Sequence, residues 1–123
     1  MIHHVQLAAP SGSEEAQRGF WTRTLGFAEV EKPPVLAGRG GCWFRRDGIE
    51  VHVGIDDEFQ PARKAHPAFA VEDLDQWTAR LTDAGYPVAW DQDFPGMRRF
   101  YTQDPFGNRL EFLERIQALG SRC

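Results

Sequence analysis

The chain has 123 residues, within the range of one ordinary domain and too short for two. Hydrophobic residues make up 41% and charged residues 26%, which excludes a disordered or low-complexity chain. Net charge is −4 with acids and bases interspersed, so no basic stripe for nucleic acid is present. Apolar runs are too short to span a bilayer, and no basic segment leads into a long apolar one as in a secretory signal. Cys42 and Cys123 make no disulfide framework, and a cytoplasmic location is expected.

Ile2–Ala9 alternates at period two and predicts a strand, broken by Pro10-Ser11-Gly12-Ser13. Ser11 and Glu14 have capping-box spacing for a helix over Ser13–Leu25, which Gly26 ends. Phe27–Glu31 predicts a short strand stopped by Pro33-Pro34, and Gly38-Arg39-Gly40-Gly41 a turn. Cys42–Arg45 and Ile49–Gly54 form a hairpin through Arg46-Asp47-Gly48. Polar Asp56–Ala65 is a connector. His66–Val71 predicts the next strand, and Asp73 caps a helix that runs to Ala84 and stops at Gly85. Strands follow over Val88–Trp90, Arg98–Thr102 and Arg109–Glu114, the last two joined by Asp104-Pro105-Phe106-Gly107. The tail from Ile116 reads as a frayed helix.

The two halves share one order of elements: strand, helix, three strands. The helix-ending Gly26 and Gly85 lie 59 residues apart, and so do the turn glycines Gly48 and Gly107. This offset makes His52 and Glu111 equivalent, while His4 and His66 open the two first strands. The expected fold is α+β: a single domain of two βαβββ modules, about residues 2–55 and 66–114. Their curved mixed sheets surround a cleft, with the helices outside.

Three of the four histidines and one carboxylate thus fall on repeat-related positions: His4, His52, His66 and Glu111. Such a polar set is costly to bury unpaired, and imidazole with carboxylate suits a divalent first-row metal such as Zn, Ni, Mn or Fe(II). His3 has no equivalent and is structural or exposed. Glu50 shares a strand face with His52, and a two-residue register change would exchange them. Gln6 or Glu50 is the candidate to position substrate or act as general base. Arg99 and Tyr101 are candidates to hold an anionic substrate, with Arg98 and Phe100 one register step away. Trp43 is a candidate pocket wall, as are Trp90, Phe69 and Phe94.

The chain resembles the vicinal oxygen chelate superfamily, which includes glyoxalase I, extradiol dioxygenases, fosfomycin-resistance thiol transferases and bleomycin-resistance proteins. The matching segments are His4-Val5-Gln6-Leu7, Phe20–Phe27 with its Leu25-Gly26, His66–Val71, and Asp104-Pro105-Phe106-Gly107-Asn108-Arg109-Leu110-Glu111-Phe112. The resemblance implies paired βαβββ modules in a homodimer, with His4, His66 and Glu111 on metal-ligand positions and His52 near a fourth, where glyoxalase I carries a carboxylate. It implies a metal-dependent lyase, dioxygenase or thiol transferase that chelates two neighbouring oxygens of a small substrate. The alternative is a metal-free, drug-sequestering protein of the same fold. The site is completed either within one chain or across the dimer.

Overall fold

The computed structural model describes residues 1–116; Cys123 and the helix expected after Ile116 lie outside them. Eight strands form two four-stranded sheets of identical topology. The first, ordered β1-β4-β3-β2, uses β1 (His4–Ala9), β2 (Ala28–Val30), β3 (Cys42–Arg46) and β4 (Ile49–Ile55). The second, ordered β5-β8-β7-β6, uses β5 (Ala68–Ala70), β6 (Ala89–Asp91), β7 (Met97–Gln103) and β8 (Arg109–Arg115). In each, the first strand runs parallel to the last and the others pair antiparallel. Gln6 pairs with His52 and Ala68 with Glu111, so the pairing register repeats with the sequence offset.

The β3–β4 hairpin turns at Asp47 and Gly48, both at positive φ, which matches the right-handed twist of the strands. Gly41 just before β3 also needs its missing side chain. Its φ is +82°, and a Cβ there would lie 2.1 Å from the Val53 carbonyl oxygen.

The helices depart from expectation in four ways. The first is α-helical only over Glu14–Arg18 (α1) and continues as a π-helix over Gly19–Thr24, where the Leu25 N–H reaches back five residues to the Phe20 carbonyl at 3.0 Å. Ser11 makes no capping box. Ser13 stands at the N-cap, and its hydroxyl instead accepts from the buried Gln17 amide at 2.9 Å. A short helix over Pro34–Ala37 (α2) occupies what reads as a loop, with Pro34 in the first turn, where a missing N–H costs nothing. The third helix, Leu74–Asp83 (α3), begins after Asp73, which sits in the left-handed region and makes no side-chain cap. The Leu74 N–H is capped from outside by the Glu114 carboxylate of β8 at 3.2 Å. The fifth strand is also shorter than expected: His66 precedes it rather than belonging to it.

One core serves both modules. Phe20, Trp21, Phe44 and Val51 from the first meet Leu81, Phe100 and Phe112 from the second, all fully buried. Phe69 is the bridge. Its ring stacks on Phe112 at 5.2 Å and meets Trp21 and Phe27 edge-on at 6.1 and 6.5 Å. Arg46 and Arg80, from opposite modules, both donate to the Leu25 carbonyl at 3.2 Å and so satisfy an orphan acceptor at the first helix's end.

The turn before β8 is held by the buried Asp104. Its carboxylate accepts the Phe106 N–H (2.9 Å), the Asn108 N–H (2.8 Å) and the Asn108 side-chain amide (2.7 Å). Asn108 also donates to the Ala8 carbonyl at 2.8 Å, tying the turn to β1 of the other module. Asp104→Ala strands these donors in a dry site. It should lower unfolding free energy by about 3 kcal/mol, read as a shifted midpoint in urea denaturation. An unchanged midpoint would show that the turn does not need the carboxylate.

Candidate functional site

Strand alternation sends the core residues of β4 and β8 to one face of each sheet and a polar set to the other. In the first sheet that set is His4, Gln6, Trp43, Glu50 and His52. The His52 ring is sandwiched: His4 stacks on it at 3.9 Å and Trp43 at 4.0 Å. His52 and Glu50 are both buried, and the His52 Nε2 lies 2.8 Å from Glu50 Oε1. Arg45 donates to the other oxygen of Glu50 from Nε, at 3.0 Å, and from Nη2. Hydrogen bonding to His52 and then to Arg45 holds the Glu50 carboxyl down to about 2. Burial pulls His52 below the ordinary imidazole value, and its neighbours His4 and His3 pull the same way, against Glu50. His52 is therefore neutral at pH 7, donates from Nε2 to Glu50 and leaves Nδ1 bare. Both Glu50 and His52 occupy the site face, so the sequence alternatives stand side by side.

Gln6 is exposed and lies against Gly54, where any Cβ would come within 2.8 Å of its amide nitrogen. With His3, His4, Trp43 and His52 it lines a cavity of about 500 Å³, walled on the far side by Lys32, Leu36 and Arg39. His3 is exposed, and its Nδ1 lies 3.0 Å from that of His4.

The second sheet presents Tyr101, Arg99, Arg109 and Glu111, with His66 beside them. The Glu111 N–H donates to the Pro67 carbonyl at 3.1 Å and so pins the stretch that carries His66. His66 Nε2 lies 2.8 Å from Glu111 Oε1, and His66 Nδ1 lies 2.8 Å from the Lys64 carbonyl oxygen. A carbonyl only accepts, so Nδ1 carries the proton. Nε2 faces a carboxylate oxygen that can only accept, and so presents either a second N–H or a lone pair. Two acceptors at hydrogen-bond distance need a cation between them, either a proton or a metal ion. A backbone carbonyl fixing the far nitrogen is also the usual support of a metal-ligating histidine. The pair fits a divalent metal.

Arg99 donates to the other Glu111 oxygen at 3.2 Å and to Asp91 at 3.2 Å, whereas Arg98 bonds Asp75 and Glu114 instead. Tyr101 lies opposite Glu111 in register, and Phe100 is in the core. Arg99 and Tyr101 thus belong to the site, and Arg98 and Phe100 do not. Of the other aromatic candidates, Phe69 is core. Trp90 is half-exposed against Phe100 and Arg98, and Phe94 lies beneath Arg99.

The candidate ligands fall into two pairs, His4 with His52 and His66 with Glu111. Among the described residues no three His, Cys, Asp or Glu side chains gather into a group that could hold a metal. Each pair sits on its own sheet, and the shared core joins the sheets through their opposite faces. Sequence reasoning did not nominate Arg45, Lys64 or Arg109. Period two back from Glu111 reaches Arg109; the other two depend on contacts that local sequence does not encode. Among the described residues no helix is long and apolar enough to cross a membrane.

The sequence model of the Glyoxalase/Bleomycin resistance protein/Dioxygenase superfamily matches residues 1–112. No curated protein matches the chain. Among solved structures, a protein assigned to the glyoxalase family from Bacillus anthracis is 46% identical, with a TM-score of 0.91 over 94% of this chain and 95% of that one. Lactoylglutathione lyase from Agrobacterium tumefaciens is 22% identical, with a TM-score of 0.72 over 93% and 92% of the two chains. The fosfomycin resistance protein FosX from Listeria monocytogenes is 18% identical, with a TM-score of 0.74 over 100% and 98%. These last two share the fold. The extent of the family match, together with the repeated sheets, shows that this chain belongs to the Glyoxalase/Bleomycin resistance protein/Dioxygenase superfamily.

Proposed function

We propose that the chain is a divalent-metal-dependent enzyme that acts on a small substrate with two neighbouring oxygens. His66 and Glu111 hold one side of the metal and His4 with His52 the other. The observation that carries this reading is the His66–Glu111 contact, an imidazole nitrogen 2.8 Å from a carboxylate oxygen with the far nitrogen already committed to Lys64. A bound divalent ion would supply Lewis acidity to both substrate oxygens. Lactoylglutathione lyase and FosX, which share the fold, bear enzyme or resistance-protein names, in keeping with a catalytic reading.

The residues then divide the work. Glu50 is too acidic to be an efficient general base near neutrality, and its hydrogen bond orients His52. Gln6 lines both the His52 cavity and the one beside His66, and positions substrate. Trp43 stacks on His52 and excludes water from it. Tyr101 braces His66 edge-on at 5.4 Å.

Because the two ligand pairs form no single group among the described residues of one chain, the reading includes a homodimer in which His4 and His52 of one copy face His66 and Glu111 of the other. Light scattering should give the mass of a dimer at micromolar concentration; a monomer that still takes up metal would refute the shared site.

Elemental analysis of untagged protein should find near-stoichiometric Mn, Fe, Ni or Zn. His4→Ala and Glu111→Gln should each lose the metal while keeping the fold by circular dichroism. Mixing the two variants should restore part of it, since a heterodimer rebuilds one intact site. Wild-type protein that takes up none of these metals on titration would overturn the metal reading in favour of a metal-free binding protein.

A further inference from the structure

The two guanidinium groups of β7 are neutralised: Arg99 is paired with Asp91 and Glu111, and Arg98 with Asp75 and Glu114. On β8, Arg115 and Arg109 make no ion pair and no side-chain hydrogen bond among the described residues; Arg115 is exposed at the strand's end, whereas Arg109 is half-buried. It opens β8 two residues before Glu111 and therefore shares its face. Its guanidinium lies 4.1 Å from the centre of the Tyr101 ring, whose edge meets His66. The stack fixes the plane of the guanidinium and leaves its N–H edge unspent.

That edge borders two openings. One, of about 460 Å³, is shared with Gln6, His66 and Asn108. The other, of about 510 Å³, is shared with Arg63, Tyr101 and Gln103. Neither has an aspartate or glutamate in its lining. Both are large enough for a small molecule. The repeat sharpens the contrast. The 59-residue offset of the turn glycines places Arg109 opposite Glu50 of the first module (109 − 50 = 59), and Glu50 is fully engaged by Arg45 and His52. One module thus carries a satisfied anion at this position and the other an unsatisfied, half-buried cation. A fixed guanidinium fork whose N–H groups no carboxylate takes up, Asp91 acting on it only at a distance while bonded to Arg99, matches a carboxylate that it can bind through two parallel hydrogen bonds.

We propose that Arg109, braced on Tyr101, is the recognition residue for a carboxylate carried by the substrate, and that Arg99, its charge consumed by Asp91 and Glu111, is not. This rests on the metal reading for where the substrate's paired oxygens sit, and it assigns the substrate to the class of small carboxylic acids. Arg63, on the exposed connector, adds a weaker second attraction.

The test is an NMR titration of metal-free protein with benzoate, and with benzamide as its neutral isostere, following backbone amides and arginine Nε–Hε signals. Benzoate should move the Arg109 Nε–Hε signal saturably, and benzamide should not. Arg109→Gln should weaken benzoate about tenfold or more, the loss of one charge-assisted bidentate contact. Arg109→Lys should fall between, since it keeps the charge but loses the fork. Arg63→Gln should weaken it less than Arg109→Gln does. Preserved amide spectra show that each variant folds. Equal shifts with benzamide, an unmoved Arg109 signal, or unchanged benzoate affinity in Arg109→Gln would overturn the proposal. Metal uptake measured on the same samples separates the two failures. Protein that takes metal but binds benzoate independently of Arg109 refutes only this inference; protein that binds benzoate through Arg109 and takes no metal refutes only the metal reading.

Discussion

A strand residue can face only one of two ways, and the shared aromatic core decides which. Phe44 and Val51 in the first sheet, and Phe100 and Phe112 in the second, are fully buried against one another's modules, with Phe69 between them. Slipping any of these strands by one residue would expose them and send Glu50, His52 or Glu111 into the core unpaired, each at a cost of several kcal/mol. The core therefore fixes more than stability. By holding the apolar faces together it compels the polar set of both sheets onto the opposite faces, where the candidate site residues lie.

On those faces the two modules solve one problem in opposite ways. Each brings an imidazole within 2.8 Å of a glutamate. In the first, the proton lies between the two, because neutral His52 donates from Nε2, and Arg45 supplies the remaining charge. In the second, the Lys64 carbonyl takes the far nitrogen's proton, so the near side of His66 meets Glu111 through either a second proton or a metal ion. Identical topology thus yields one pair held with Arg45 and one whose contact calls for a cation between its two atoms.

Much of this was legible in the sequence because it is local or periodic. Glycine spacing gave the 59-residue offset, and the offset made His52 and Glu111 equivalent, as the pairings Gln6–His52 and Ala68–Glu111 bear out. Period-two alternation put Glu50 with His52. What escaped depends on contacts distant in sequence. The cap of α3 comes from Glu114, 40 residues away, so Asp73 looked like the cap. Arg99 looked free because Asp91 and Glu111 reach it only once β6, β7 and β8 pair. The π-helical turn and the helix over Pro34–Ala37 follow from packing, for which short propensity windows carry little signal.

The residues that pair with His52 and Glu111 across the parallel ladders carry the asymmetry one step further. Beside His52 stands Gln6, a long amide that reaches into the cavity over Gly54; beside Glu111 stands Ala68, which reaches nowhere. A small residue there sets no long side chain beside Glu111, and Arg109, two residues before Glu111, borders the opening next to His66. Filling a repeat position with glutamine in one module and emptying it with alanine in the other gives one wall that offers neutral hydrogen-bonding groups and one that offers room and charge. Under the proposed carboxylate recognition, a ligand whose oxygens differ in charge would sit in one orientation, its anion on Arg109, and symmetric modules with unlike contents at matched positions would suffice to orient a small molecule.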